Sequence, residues 1–196
     1  MVPAKHAATV VPLRDGVDGL EILLLRRHAR LSFAGGAWVF PGGHVDPEDW
    51  PTDAPDDHHG AARVAAVREA REEAGLELLL HQLITLSHWT TPLDQPKRFA
   101  TWFFAAPAHH GAQVQVDGVE IDDHRWLRPQ TALDTHQRGE IFLPIPTYAT
   151  VELLLDFANV DTALAALAAR PPEIVPVKAQ SPRQEFARVF AGRPPP

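Results

Sequence analysis

Between Ala37 and Leu76 the chain leaves itself one local arrangement. Ala37-Trp38-Val39-Phe40 is a short aromatic segment that stops at Pro41-Gly42-Gly43. Residues 46–59 hold Pro47, Pro51 and Pro55 among Asp46, Asp49, Asp53, Asp56 and Asp57, a composition that predicts a surface loop and not a core element. Then comes Arg68-Glu69-Ala70-Arg71-Glu72-Glu73-Ala74-Gly75-Leu76. A helix starting near Gly60 would align Val64, Val67, Ala70 and Ala74 as an apolar stripe and end at Gly75, where a helix commonly closes on glycine. Glu69, Glu72 and Glu73 fall at i, i+3 and i+4, on one side of that helix and opposite the stripe. Three carboxylates so close repel one another unless a cation sits among them. A hard divalent ion such as Mg²⁺ or Mn²⁺, which takes oxygen ligands, meets that need. The pattern points to a metal-dependent site for a phosphate substrate.

The rest of the chain supplies strands and helices around this unit. Residues 7–13 and 20–26 read as strands joined by the turn formers of 14–19, which predicts a hairpin. Residues 76–88 are apolar enough for a buried strand, and 98–104 is a stronger strand with Phe99, Trp102, Phe103 and Phe104. Residues 120–127 form a further candidate. Helical patterns follow at 129–137, 147–157 and 161–169, and the last ~25 residues, dense in proline, are expected to trail over the surface. The expectation is one α/β domain over 1–170, interrupted by the 46–59 insertion, with a tail over 171–196.

Composition narrows the function classes. A net charge of −7 argues against a nucleic-acid partner or an anionic membrane surface. With no cysteine there is no disulfide, thiolate catalysis or cysteine-ligated metal. No leader-like N-terminus and no apolar run long enough to span a bilayer stands in the sequence, so a cytoplasmic location is the expectation.

The motif resembles the signature box of the Nudix hydrolase family: a glycine, five residues, a glutamate, seven residues, then Arg-Glu-hydrophobic-x-Glu-Glu-x-Gly-hydrophobic. Arg68, Glu69, Ala70, Glu72, Glu73, Gly75 and Leu76 match the second half, and Gly43 matches the leading glycine. The middle departs. Asp49, beside Glu48, stands where the first glutamate belongs, and eighteen residues (50–67) separate it from Arg68. Counting back from Arg68 places Gly60 at that glutamate. An eleven-residue insertion before the helix accounts for both, and lengthening a loop costs roughly a kcal/mol or less. The interrupted box resembles the branch of peroxisomal coenzyme A diphosphatases, as do 22–27, Gly36, 38–43, 98–104 and 124–127. A coenzyme A signature is kept at Leu23, Leu24, Arg27, Gly36 and Phe40 through Gly43. It is broken at Leu25, His28 and Ser32, the last of which replaces an arginine able to meet a phosphate bidentately.

The resemblance implies a Nudix-type α/β/α sandwich with a mixed β-sheet, a catalytic loop-helix-loop and C-terminal helices. It implies hydrolysis of a diphosphate linkage in a nucleoside diphosphate derivative such as coenzyme A or an acyl-CoA, with ADP-ribose, NADH and dinucleoside polyphosphates as alternatives. By matching position, Glu69, Glu72, Glu73 and the Gly43 carbonyl would hold Mg²⁺ or Mn²⁺. Arg68 would pair with Glu72 and orient it. The base stays open among Glu69, Glu72, Glu120 and Asp123. Arg27 and Arg98 are phosphate contacts and Phe99 or Trp89 a stacking platform in this reading, against the plainer one in which both arginines are solvent-exposed charges at strand edges. Trp38, Trp102 and Trp126 are most simply packing residues. Asp56-Asp57-His58-His59 reads as a helix N-cap before it reads as a metal cluster, and His109-His110 as loop. A ligand sensor that keeps the fold without turnover, and an interaction protein with a vestigial site, are the competing functions. A homodimer through the apolar 147–169 helices is a further expectation.

Overall fold

The computed structural model describes residues 2–31, 34–109 and 111–175, so His110, Ser32 and the tail beyond Val175 lie outside the described residues. β1 (Lys5–Gly16) and β2 (Gly19–Arg27) form the expected hairpin, with Leu13 opposite Ile22 and Gly16 opposite Gly19. β3 (Trp38–Val39) adds to β2, and β4 (Gly42–His44) adds to β1 at residues 7–9. After helix α1 (His58–Ala74) come β5 (Ile84–Thr90), β6 (Phe99–Pro107) and β7 (Ile121–Leu127). Helices α2 (Pro129–Gln137), α3 (Ile145–Leu153) and α4 (Val160–Ala168) precede β8 (Glu173–Val175). The sheet runs β3-β2-β1-β6-β5-β8, with β4 on β1 and β7 on β2. It is mixed: β1 lies parallel to β6 and β5 parallel to β8, while the remaining pairs are antiparallel.

Alternation along the strands divides the core in two. Val11, Leu13, Ile22 and Leu24 face one side, where α2, α3 and α4 add Leu133, Tyr148, Val151 and Leu167. Ala8, Val10, Leu23 and Leu25 face the other, under α1. This is the α/β/α sandwich. Helices α3 and α4 turn Tyr148, Val151, Ala163 and Leu167 to the sheet. No helix among the described residues is long and apolar enough to cross a membrane.

Four expectations are corrected. The buried face of α1 is Ala61, Ala62, Ala65, Ala66, Ala70 and Ala74 together with Glu73, so Val64 and Val67 are not its stripe and Glu73 does not lie opposite it. Residues 76–88 are not one strand: Leu80–Gln82 is a 3-10 turn and pairing starts only at Ile84, because Arg63 binds the Leu80 and Leu83 carbonyls that a strand would need (2.6 and 3.1 Å). The 46–59 loop is not all surface, since Asp49 is buried at 3% exposure in a short 3-10 turn. Residues 173–175 are drawn onto the sheet edge instead of trailing from 171.

Alanines bury little area each. Helix α1 therefore sits close to the sheet but leans on polar ties, among them the Arg63 bonds and a His59 Nε2–Thr85 Oγ1 contact of 3.0 Å. Its N-cap is Asp57, whose carboxylate accepts the Gly60 N–H at 2.8 Å. Its C-terminus closes at Gly75 with φ of 66°, the left-handed region that only glycine enters freely. Gly75→Ala is expected to lower unfolding free energy by about 1 kcal/mol, read by urea denaturation. An added Cβ would meet Gln115 Cβ at an ordinary 3.4 Å, so the loss reports the backbone alone.

Candidate active site

The close approach of α1 to β4 builds the site. Gly42 donates its N–H to Glu73 Oε2 at 2.8 Å. A Cβ at Gly42 would run into the Ala8 carbonyl, and one at Gly43 into the Glu69 carboxylate. The Gly-Gly pair is thus a steric requirement: a strand backbone pressed against two acidic side chains. Gly43→Ala is expected to displace Glu69 and reduce activity at least tenfold while shifting the melting temperature by only a few degrees; equal activity would show that Glu69 has slack.

The three glutamates differ in depth. Glu73 is 6% exposed, and burial pushes its carboxyl up to about 8 against the opposing Gly42 hydrogen bond. Glu69 is partly buried, and desolvation also raises it, opposed by the Arg68 charge. Glu72 is half-exposed. Arg68 ties the site together. Its Nη1 donates to Glu69 at 3.0 Å and Glu72 at 2.9 Å, its Nη2 to the His44 carbonyl and Asp49 at 2.9 Å, and its Nε to Asp49 at 3.1 Å. Asp46 adds an ion pair at 3.5 Å. The Asp49 hydrogen bonds, foremost, raise the Arg68 pKa further above its ordinary value. The insertion therefore feeds the site, as Asp49 and Asp46 anchor the arginine that holds two of the glutamates.

A cleft of about 440 Å³ opens onto these groups. Glu69, Glu72, Glu73 and Gly43 line it together with Arg27, Phe99 and Glu120, which come from β2, β6 and the turn before β7. Arg27 Nη2 lies 3.9 Å from Glu120, and its buried Nε has no hydrogen-bond partner. Asp117 also lines the cleft and was not anticipated. Its Oδ1 accepts the N–H groups of Val119, Glu120 and Ile121 (2.9–3.1 Å), which fixes the turn carrying Glu120. The Asp117-Gly118 pair, a turn dipeptide before a strand, was the available signal.

Other candidates lie elsewhere. Asp123 faces Arg26 at 3.8 Å and accepts the His124 N–H, away from the cleft lining. Arg98 is not an exposed edge charge. It is 7% exposed, and its guanidinium donates to the carbonyls of Val2, Thr91 and Pro92. Trp38 and Trp89 are buried core residues, and Trp126 carries Arg14 over its ring at 4.3 Å. Next to the acidic cleft lies an apolar chamber of about 320 Å³, walled by Phe40, Trp89, Phe99, Phe103 and Ile145 and sharing Arg27 and Gly42 with it.

No group of three or more His, Asp or Glu side chains among the described residues stands assembled to hold a metal ion. Glu69 and Glu72 turn to Arg68, and Glu73 to the Gly42 amide. The donors nevertheless suit a hard cation: they are all oxygen, and two of them are carboxyls that burial holds away from their charged form, a penalty that a nearby cation offsets.

The NUDIX domain model matches residues 4–144. Among curated relatives, the acyl-coenzyme A diphosphatase NUDT19 of Homo sapiens is 25% identical across 72% of this chain. The CTP pyrophosphohydrolase of Escherichia coli is 30% identical across 61% of this chain and 73% of its own length. The chain spans 52% and 62% of the lengths of a Caenorhabditis elegans nudix hydrolase and of the human enzyme. A crystal structure of a NUDIX hydrolase from Alicyclobacillus acidocaldarius superimposes with a TM-score of 0.77 at 28% identity, covering 87% of this chain and all of that one. Strand–glycine turn–acidic helix, mixed sheet and domain match agree, and the chain belongs to the Nudix hydrolase family.

Proposed function

We propose that this protein hydrolyses a phosphoanhydride bond in a nucleoside diphosphate derivative, using Mg²⁺ or Mn²⁺ held by Glu69, Glu72, Glu73 and the Gly43 carbonyl. One observation carries the reading: a single cleft gathers those four residues with Arg27 and Glu120. Such an ion, when bound, neutralises phosphate oxygens and makes a water acidic enough to attack. The protein's own groups do the positioning. Arg68 fixes Glu69 and Glu72 in one orientation, and the Gly42 amide fixes Glu73. Arg27, which lines the cleft, donates from its guanidinium to a diphosphate oxygen, where charge-assisted bonds are strongest. Glu69, Glu72 or Glu120 takes the proton of the attacking water, and Phe99 offers a flat face to the nucleotide.

Coenzyme A and acyl-coenzyme A come first among substrates, supported by the interrupted box and the likeness to the human acyl-coenzyme A diphosphatase. The apolar chamber beside the cleft suits an apolar extension of the substrate. The test is a panel of coenzyme A, an acyl-coenzyme A, ADP-ribose, NADH and dinucleoside polyphosphates, each with Mg²⁺ or Mn²⁺ and product analysis. Cleavage at the diphosphate of any member is the expected result. Binding of one member without turnover would replace the hydrolase reading with a ligand sensor.

A further inference from the structure

The insertion that feeds the site is itself held by rings. Trp50 follows Asp49 directly and ends the same 3-10 turn. Its indole stands edge-on to His6 of β1, 5.8 Å between ring centres at 82°, and to His58 of α1, 5.0 Å at 81°. Those imidazoles lie against each other at 4.3 Å and 30°. The knot therefore joins the turn carrying Asp49, the first residue of α1 and the start of β1. Residues 51–57 bond mainly to one another, Ala54 N–H to the Pro51 carbonyl and Asp57 N–H to the Ala54 carbonyl. Asp49 and Trp50, adjacent in one short turn, move together, so the grip on the indole sets where Asp49 meets Arg68 at 2.9 Å.

This packing suits neutral rings. Two imidazolium groups 4.3 Å apart repel each other. Burial, and then the His58 charge, hold the His6 pKa below its ordinary value. The groups that face His6 do not offset a charge there. His58 comes from α1, and His88 from β5, whose own pKa burial and the His6 charge lower. Strand β6 places Ala100 beside it and Trp102 beyond, and neither titrates. Lys5 alternates to the opposite face, where it lines a hollow with His44. Asp57 caps the Gly60 N–H and acts on His59, where Arg63 opposes it, and Asp56 gives its carbonyl to the His58 N–H. Glu48 and Asp53 of the insertion are exposed.

We propose that Trp50 is a positioning residue: gripped by His6 and His58, it holds the insertion where Asp49 fixes Arg68, and acid loosens the grip by charging the imidazoles. The inference rests on the hydrolase reading for its effect on turnover, while the grip can be read without turnover. The sign follows from His6. Its neutral form is the one the packing favours, so the grip is complete above the ordinary histidine range and is lost as pH falls through the lowered value.

The test uses the whole chain labelled with 5-fluorotryptophan, whose five fluorine resonances are assigned by replacing each tryptophan with phenylalanine. From pH of about 7.5 to about 5.5 the Trp50 resonance is expected to shift in wild type, with a midpoint below the ordinary histidine value. It should stay fixed in a His6→Phe, His58→Phe double variant, which keeps rings and removes the charges. A resonance unmoved in wild type, or still moving in the double variant, overturns the grip. At neutral pH, Trp50→Ala is expected to bind Mn²⁺ about fivefold more weakly by water proton relaxation and to lose about fivefold in kcat, with KM within about twofold. Trp50→Phe should recover most of both. Unchanged Mn²⁺ affinity and kcat in Trp50→Ala overturn the positioning role. At the acid pH the double variant should keep a share of its own neutral-pH rate about threefold larger than wild type keeps. The carboxylates of the site titrate in both proteins, so equal acid losses overturn the part played by the imidazoles. If no substrate of the panel is cleaved the hydrolase reading fails, while the fluorine and Mn²⁺ titrations still decide the grip and its reach to Glu69 and Glu72.

Discussion

Replacing Glu73 with glutamine is expected to lower turnover by about 10²- to 10³-fold with the fold intact, and Glu72→Gln to do the same. Glutamine keeps the shape and leaves an oxygen to accept the Gly42 N–H now held at 2.8 Å, so only the charge is removed. Burial holds the Glu73 carboxyl toward its neutral form, so the charge removed there is the one that a bound cation would draw out, in the most buried part of the triad, where water cannot replace it. Steady-state product release with Mn²⁺ measures the loss, Mn²⁺ titration should show weaker binding in parallel, and a thermal melt within a few degrees of wild type verifies folding. Full activity in both variants would remove the glutamates from the metal site.

The largest stability effect is expected at Arg68. Truncation to methionine strands the Asp49 carboxylate, which is 2% exposed and receives two of the five guanidinium hydrogen bonds. Losing one partner of a buried ion pair costs about 3–5 kcal/mol, and here the alanine face of α1 has little apolar area to offset it. Urea unfolding gives the magnitude. Asp49→Asn in the Arg68→Met background should cost much less than it does in wild type, since the charge being removed is already unpaired, and a double-mutant cycle reads that coupling. A loss below about 1 kcal/mol for Arg68→Met would mean that Asp49 reaches solvent or another cation. Activity should fall in the same variant, because Glu69 and Glu72 lose their common donor.

What the sequence made legible was local. The hairpin, helix α1 with its Asp57 cap and Gly75 end, and α2 at 129–137 follow from periodicity and turn chemistry within a few residues of each other. The glutamate spacing and its meeting with Gly43 were legible for the same reason, being one helix beside one turn. What was hidden depended on partners far along the chain. Asp49 reads as a loop aspartate until Arg68, nineteen positions later, is seen to bury it. Arg98 reads as an edge charge until Val2 is seen to accept from it across 96 positions. The alanine stripe of α1 has little hydrophobic contrast, so the choice between it and the valine positions was made by how closely the helix must approach the sheet. Asp117 acts through its turn, which a charge pattern does not reveal.

The parallel seam between β1 and β6 has a kinetic consequence. It joins Lys5 to Phe99 and Leu13 to Pro107, residues 94 apart, and everything that lines the acidic cleft except Glu120 and Asp117 lies inside or on that closed loop. A ribosome must therefore release more than half of this polypeptide before the middle of the sheet can zip, and contacts of such high order fold on millisecond-to-second scales. Until then the hairpin exposes an unsatisfied edge, the stage at which a holdase or lower temperature should most improve recovery of soluble protein.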